Sequence, residues 1–554
     1  MHTANMACPL HNGHDVRLAI KFLQRQNIIA DRALSVMTHH FSTKMDFTPI
    51  VRMFMTRRSF STDKWTGRIK ELQLRQLRSL LRCARNTEIG RQHCFNDILR
   101  ASDIYTAFTD NVPTCEYEDI RPQVLRMVDG VRDVLWPGRC INFAQSSGTS
   151  GGRSKFIPVT PRSLHRCHYK GAYDCVSHYL RNHPGSRLFS GKALVLGGSF
   201  ASEIKSSDPD VRIGDLSATL ISRINPFANH FRVPDMHTAL LPDWTEKLPA
   251  LVEASKDENI TNLSGVPSWF LTVIKEVIAS KGVEKISDVW PNLEVFFHGG
   301  ISFEPYREIY TELTDVDRMH FVETYNASEG FFAVQNDPSD RSMLLIIDND
   351  VFYEFADIAR PGSSPVPLWE VEKGKVYELI ITSSNGLWRY RLGDTVRICS
   401  TDPVKIRIAG RTKTFINAFG EELMEDNAEH AMAAACKATG AAMRHYTAAP
   451  VFATETSRGR HEWAVEWIKP PSDIDTFTFV LDHELRSLNS DYDAKRSHTI
   501  FLDPPLVTTV SHGTFERWLK AAGTGKLGGQ RKVPRLSNDR TIIDKILRYD
   551  TCAS

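Results

Sequence analysis

The chain has 554 residues, 42% apolar and 24% charged, which is the profile of a soluble folded protein with a large core and room for more than one domain, neither fibrous nor disordered. Lysine plus arginine exceed aspartate plus glutamate by 68 to 66, a net charge of +2, so neither nucleic acid nor an anionic membrane is expected as the main partner. Ten cysteines without a CxxC pair and 20 histidines without HExxH point away from a zinc cluster, a disulfide framework and a zincin site, and toward free buried thiols.

In chain order, residues 1–45 lack clear periodicity and form an N-terminal extension to which no role is assigned. They carry His2, His11, His14, Asp15 and Arg17 where a signal peptide would be apolar, and no run reaches the ~20 apolar residues that span a bilayer, so a cytoplasmic protein is expected. Globular patterning starts near Asp46, and an amphipathic helix is predicted over 62–85. Ile69, Leu72, Leu77, Leu80 and Leu81 line its inner face, while Arg75, Arg78, Arg82 and Arg85 make a solvated one.

The stretch 144–160, AQSSGTSGGRSKFIPVT, then crowds glycines, hydroxyls and a lysine ahead of an apolar run. Glycines let backbone N–H groups turn toward an anion, Ser146, Ser147, Thr149 and Ser150 add hydroxyl donors, and Lys155 adds charge, so the loop is suited to phosphate. A plain Gly/Ser surface loop is the alternative. Ser154 and Phe156 flank Lys155, which breaks the P-loop pattern. Residues 148–152 match GxSxG, which would make Ser150 a hydrolase nucleophile, but that elbow needs a helix next, and Pro158 and Pro161 in an extended pattern argue against one.

Strands are predicted at 192–196, 293–297, 320–325, 343–347, 351–355 and 376–382, with helices at 246–254 and 269–280, an α/β arrangement. FFHGG at 296–300 ends a strand in two glycines that let a flat ring approach the backbone, or simply make a tight loop. YNASEG at 325–330 puts Ser328 and Glu329 at a strand-to-loop edge, where a carboxylate near phosphates suits magnesium; an exposed turn is the bland alternative. YRLGD at 390–394 uses Gly393 to turn Asp394 outward, either as a ribose acceptor or as a turn cap.

Near residue 410 the texture changes: Gly410, Arg411, Asn417 and Gly420 form a flexible polar junction fit for a hinge. Asp426 with Glu429 reads as a capping pair opening an Ala-rich helix that Gly440 ends, and 461–468 alternates as a strand. Gly523, Gly525 and Gly528 follow an expected helix at 515–522 where a dinucleotide fingerprint would need a strand. Lys526 and Lys532 lie in GKLGGQRKVPR, where a mobile lysine could meet developing negative charge or simply be solvated.

In order and spacing these segments resemble the adenylate-forming enzymes, and more closely the auxin-responsive acyl acid amido synthetase family called Gretchen Hagen. The matching stretches are SSGTSGGRSKFIP, GDLSATL, SGVPSWF, LEVFFHGGISFEPYR, YNASEGFF, YRLGD, IAGRTKTFINAFGEELMEDNAE and GGQRKVPRLSNDR, and they cover roughly residues 50–548. The resemblance implies a large N-terminal α/β domain at 46–410, a hinge at 411–420 and a smaller mobile α+β domain at 421–554. It implies ATP phosphates held by Ser146, Ser147, Gly148, Thr149 and Ser150 with Lys155 beside them, magnesium on Glu329, and ribose on Asp394. His298, Gly299 and Gly300 would line the adenine side, and Tyr325, Ser328 and Arg411 would complete the nucleotide site. Lys532 matches the family's C-terminal catalytic lysine better than Lys526 does. Lys413 and Asn417 depart from the broader superfamily at the hinge, where aspartate and often lysine stand.

The implied activity joins a small carboxylic acid to an amine or amino acid through an acyl-adenylate. An acyl-CoA ligase, a serine hydrolase using Ser150 and a non-catalytic nucleotide-binding module are the rivals.

Overall fold

The computed structural model describes residues 46–551 except 147–154, 201, 203, 225–228, 230, 301–302, 304–305, 412–414, 417–422, 452–458, 490–491, 494–495, 497–501, 522–532 and 538. The 1–45 extension, Ser147 to Ser150, Lys413, Asn417, Gly523, Gly525, Gly528, Lys526 and Lys532 therefore lie outside the described residues, as do the side chains of Ser146 and Arg411.

A twelve-stranded sheet organises most of the chain. Its first half is parallel, in the order Arg232–Val233, Lys192–Val195, Ile260–Gly265, Val295–Gly299 and His320–Ala327. From the hairpin between His320–Ala327 and Gly330–Val334 onward it is antiparallel, continuing through Met343–Leu345, Val404–Arg411, Leu387–Thr401, Val376–Ser383, Val351–Asp357 and Val366–Pro367. The parallel strands mix buried apolar residues with polar ones such as Asn262, Ser264, Glu323 and Thr324. Phe296 packs with Leu263, Phe270 and Tyr310 on one face, while Phe297 joins Val322, Leu345 and Tyr353 on the other.

The helix expected over 62–85 starts later than expected. Thr48–Thr62 is followed by a tight turn at Asp63–Trp65, and the amphipathic helix begins only at Ile69 and runs to Ala84. Gly67 breaks the run with φ 69°, a conformation that favours glycine, and its N–H donates to Asp402. The first helix buries Thr48, Ser59 and Thr62, so apolar periodicity has nothing to detect there.

A second, three-stranded sheet pairs Ala442–Val451 antiparallel with Arg460–Lys469, and the latter parallel with Leu506–Val510. Helices Glu425–Thr439 and Ile474–Leu488 cover one face through Met432, Tyr446, Trp463, Phe477 and Leu481. Phe515, Ile543 and Ile546 close the other face. Gly440 ends the first of these helices at φ 63°. Its start differs from the sequence expectation: Asn427 accepts from the Met424 N–H at 3.1 Å, and Glu429 is buried instead, taking Tyr446 Oη at 3.1 Å and Arg535 Nε at 3.2 Å. A short helix occupies Thr514–Leu519. Among the described residues no helix is long and apolar enough to cross a membrane.

Candidate active site

Asn142–Ser146 and Lys155–Pro158 form an antiparallel pair in which Ser146 faces Lys155 across the ladder, so the serine-rich stretch lies between two paired strands in the chain. A nucleophile elbow needs strand, serine, then helix. The strand Lys155–Pro158 begins five residues after Ser150, and no helix follows it before Pro161 among the described residues.

Lys155 leaves this strand pair toward two tyrosines. Its Nζ donates to Tyr390 Oη at 3.3 Å and lies 5.9 Å from the Tyr390 ring and 6.0 Å from the Tyr117 ring. Tyr117 fixes the start of the strand, because its Oη accepts the Phe156 N–H at 2.7 Å. No described carboxylate lies within ion-pair distance of Lys155, so a partly buried cation is left with π faces and one hydroxyl.

Opposite stands the YNASEG hairpin, at the seam between the parallel and antiparallel halves. Ala327 pairs with Gly330, which leaves Ser328 and Glu329 as the two-residue turn, both under 10% exposed. Asn385 Nδ2 donates to the Glu329 carbonyl at 2.8 Å and pins the turn. Burial, and next the Glu329 carboxylate, hold the Tyr390 phenol well above its ordinary range, so Tyr390 keeps its proton. Gly393 adopts φ 82°, and Asp394 after it accepts Tyr325 Oη at 2.6 Å, joining YNASEG to YRLGD directly. Across the ladder Asp394 pairs with Arg411, so the expected hinge begins beside the expected ribose ligand.

Lys155, Glu329, Tyr325 and Asp394 are thus brought together from three separate segments. His298 is placed differently. Its ring stacks on Phe303 with centroids 4.2 Å apart and is 2% exposed, and burial pushes its pKa down to about 3. At the strand edge, residues 298–300 offer backbone: the His298 carbonyl accepts Thr324 Oγ1 at 3.1 Å, and a Cβ on Gly299 would come within 2.5 Å of the Thr324 carbonyl. Tyr117 and Tyr390 were not singled out from the sequence. Tyr390 heads YRLGD and carried a signal there, whereas Tyr117 lies far upstream and carried none.

For a metal, Glu329 offers one buried carboxylate, and among the described residues no three or more His, Cys, Asp or Glu converge. One protein oxygen ligand completed by substrate phosphates suits magnesium, which keeps waters and seldom takes an all-protein cage.

The fold is that of adenylate-forming ligases. The GH3.15 acyl acid amido synthetase superposes with a TM-score of 0.69 at 19% identity, covering 89% of this chain and 94% of that one. A 2-hydroxyisobutyryl-CoA ligase in its postadenylation state gives 0.55 at 13% identity, over 87% and 91% of the two chains. Within that class the chain belongs to the GH3 family: the family's N-terminal, central and C-terminal domain models match residues 60–248, 344–411 and 426–541 in that order. An indole-3-acetic acid-amido synthetase, GH3.3 of Arabidopsis thaliana, is 24% identical over 567 residues, spanning 85% of this chain and 93% of the relative.

Proposed function

We propose that this chain is an ATP-dependent acyl acid amido synthetase. A carboxylate oxygen of the acid attacks the α-phosphorus of ATP, the bond to the bridging oxygen breaks, and pyrophosphate leaves with that electron pair. The neutral amino group of an amino acid then attacks the acyl carbon, AMP departs with the former carboxyl oxygen, and the amine loses one proton. Activation comes first because a carboxylate is a poor electrophile.

The observation that carries this reading is the partly buried Lys155 ammonium, without a carboxylate partner among the described residues, set against Tyr390, Glu329 and Asp394. A fixed cation beside carboxylates it does not touch suits a polyanion bridged to them by a divalent ion and by ribose hydroxyls. Lys155 and the donors of 146–150 would hold the phosphates, Asp394 would accept the ribose hydroxyls, and Tyr325 would fix the orientation of Asp394 through the 2.6 Å hydrogen bond. Ser328, Arg411 and the backbone at His298, Gly299 and Gly300 would complete the nucleotide site. Glu329 would hold Mg²⁺, whose chemistry there is to neutralise phosphate charge as the bond breaks. Residues 46–410 act as the large domain and 421–554 as the small one, which turns about 411–420 and brings Lys532 to the reacting groups.

The test is radiolabelled pyrophosphate exchange into ATP with a panel of carboxylic acids, followed by mass spectrometry with pooled amino acids and with coenzyme A. Acid-dependent exchange with amide products is expected. Folded protein that exchanges with no acid in the panel would overturn the proposal, and thioesters in place of amides would assign the chain to the acyl-CoA ligases.

A further inference from the structure

The strand Leu387–Thr401 holds a buried arginine in a conformation that arginine rarely adopts. Arg389 sits at φ 46°, and every part of its side chain is tied down. Its guanidinium forks onto Glu354 at 3.0 and 2.9 Å and also donates to the carbonyls of Thr109 and Val112, at 3.2 and 2.8 Å. The pairing with Val376–Ser383 shifts register between Ile381 and Ser383, which face Tyr390 and Leu387. Backbone bonds from Cys115 N–H to the Arg389 carbonyl and from Arg391 N–H to the Cys115 carbonyl then clamp Tyr390 on its other side. A left-handed residue other than glycine is strained and persists where its surroundings over-determine it, as at a functional site.

What the bulge aims is the Tyr390 hydroxyl. It is fully buried and accepts from Lys155, and its own proton has no acceptor among the described residues. Burial and Glu329 keep that proton on the phenol. A buried O–H with one lone pair engaged and its proton unused is a donor waiting for an oxygen.

We propose that Tyr390 is a further phosphate-binding residue, which holds the Lys155 ammonium in place and donates its hydroxyl proton to an oxygen of the bound triphosphate, with Arg389 and Glu354 as the positioning pair beneath it. This rests on the triphosphate assigned above. The Tyr117 ring is the second wall of the lysine's seat, so the lysine meets the substrate already ordered, with less entropy to lose.

Full-length Tyr390→Phe, Lys155→Met and the double variant test the assignment. Tyr390→Phe keeps the ring and removes the hydroxyl; acid-dependent exchange should fall about a hundredfold, the order seen when one oriented donor is lost, with the unliganded melting midpoint retained. Lys155→Met should add little in the Tyr390→Phe background, because the two act as one unit. Inorganic tripolyphosphate and MgATP should each raise the wild-type melting midpoint and raise it less in both single variants. Lys155→Arg, which keeps the charge, should restore part of the shift. Wild-type exchange and wild-type ligand shifts in Tyr390→Phe, or fully additive losses, would overturn the proposal. If Tyr390→Phe melts early, the shift lost by Lys155→Met and regained by Lys155→Arg decides whether the seat binds phosphate. Should the wild type exchange with no acid yet be protected by tripolyphosphate through Lys155 and Tyr390, amide synthesis fails as the function while the phosphate seat stands.

Discussion

Two clusters of buried charge in this molecule follow opposite rules. Beneath the helix Thr48–Thr62, Arg58 forks onto Asp174 at 2.6 and 2.8 Å and onto Asp348 at 2.8 and 2.7 Å, and Lys170 also pairs with Asp348. Two cations meet two carboxylates. Burial alone would raise the Asp348 carboxyl, but Lys170 and Arg58 hold it down at about 2. At the strand that follows residue 154, by contrast, Lys155 meets two tyrosine rings and a hydroxyl. The balanced cluster fastens the helix Thr48–Thr62 to the helix Tyr169–Asn182 and to the bend at Asp348, and has no charge to spare for a ligand. The unbalanced one is worse for the protein alone and makes sense once an anion arrives.

Breaking the balanced cluster is the most damaging change. Asp174→Ala leaves Arg58 with half its partners inside the protein, and removing one member of a buried pair costs ~3–5 kcal/mol. The first unfolding transition in denaturant should move down accordingly, while exchange activity per folded molecule stays near wild type. Equal losses of stability and of specific activity would mean that the cluster is not separate from the site.

Breaking the unbalanced region has the reverse signature. Glu329→Gln preserves shape and removes the charge proposed to hold magnesium, and exchange should fall by ~2.7–4 kcal/mol of transition-state stabilisation, about 10²–10³-fold. The melting midpoint of the unliganded protein should hold or rise, because a buried carboxylate has been neutralised. A stability loss without a rate loss would place Glu329 with the structural carboxylates.

Tyr117→Phe is a milder probe. It removes the hydroxyl that accepts the Phe156 N–H at 2.7 Å but keeps the ring beside Lys155. One such hydrogen bond contributes ~0.5–1.5 kcal/mol. Stability should drop by that amount, and the Michaelis constant for MgATP should rise more than kcat falls, since Tyr117 seats the strand and does not touch reacting atoms. A large kcat effect would instead move Tyr117 into the reaction.

The contrast also explains what the sequence could reveal. The strand at 192–196 was legible from its apolar run ALVL, and those at 320–325 and 376–382 from their aromatic and β-branched residues, Phe321, Val322 and Tyr325 in one and Val376, Tyr377, Ile380 and Ile381 in the other, despite Glu323 and Glu378. The helix Thr48–Thr62 was not, because it hides Thr48, Ser59 and Thr62. The late start of the helix expected over 62–85 was not legible because the turn at Asp63–Trp65 and the single Gly67 leave little mark on the pattern ahead of Ile69. In the site, Glu329 and Asp394 could be named from local motifs, but the Tyr325 to Asp394 hydrogen bond and the tyrosine seat of Lys155 depend on strands that meet only in three dimensions. His298 was named only through the family resemblance; where its ring lies, against Phe296 and Phe303, depends on packing that local sequence does not write.

A third region sharpens the comparison by titrating. His183 and His320 lie with ring centroids 4.0 Å apart, and Tyr179 flanks both while donating to Glu294 at 3.1 Å. Burial, then the neighbouring His183, push the His320 imidazole down to about 4, against ~6.5 in an unfolded chain. Between those values the unfolded chain takes up a proton that the folded protein refuses, so this site's stabilisation is present above pH ~6.5 and is lost as the pH falls toward 4. His320→Gln cannot take that proton in either state. Its melting midpoint should therefore fall less steeply on acidification than that of the wild type. The effect is the smallest of the four, because His320 is partly open to solvent and because His168 and His178, each also pushed down to about 4 by burial, keep their own acid sensitivity. Parallel curves for wild type and His320→Gln across that window would mean that the stacked pair tolerates the second proton, and that Glu294 balances it much as Asp348 balances Lys170.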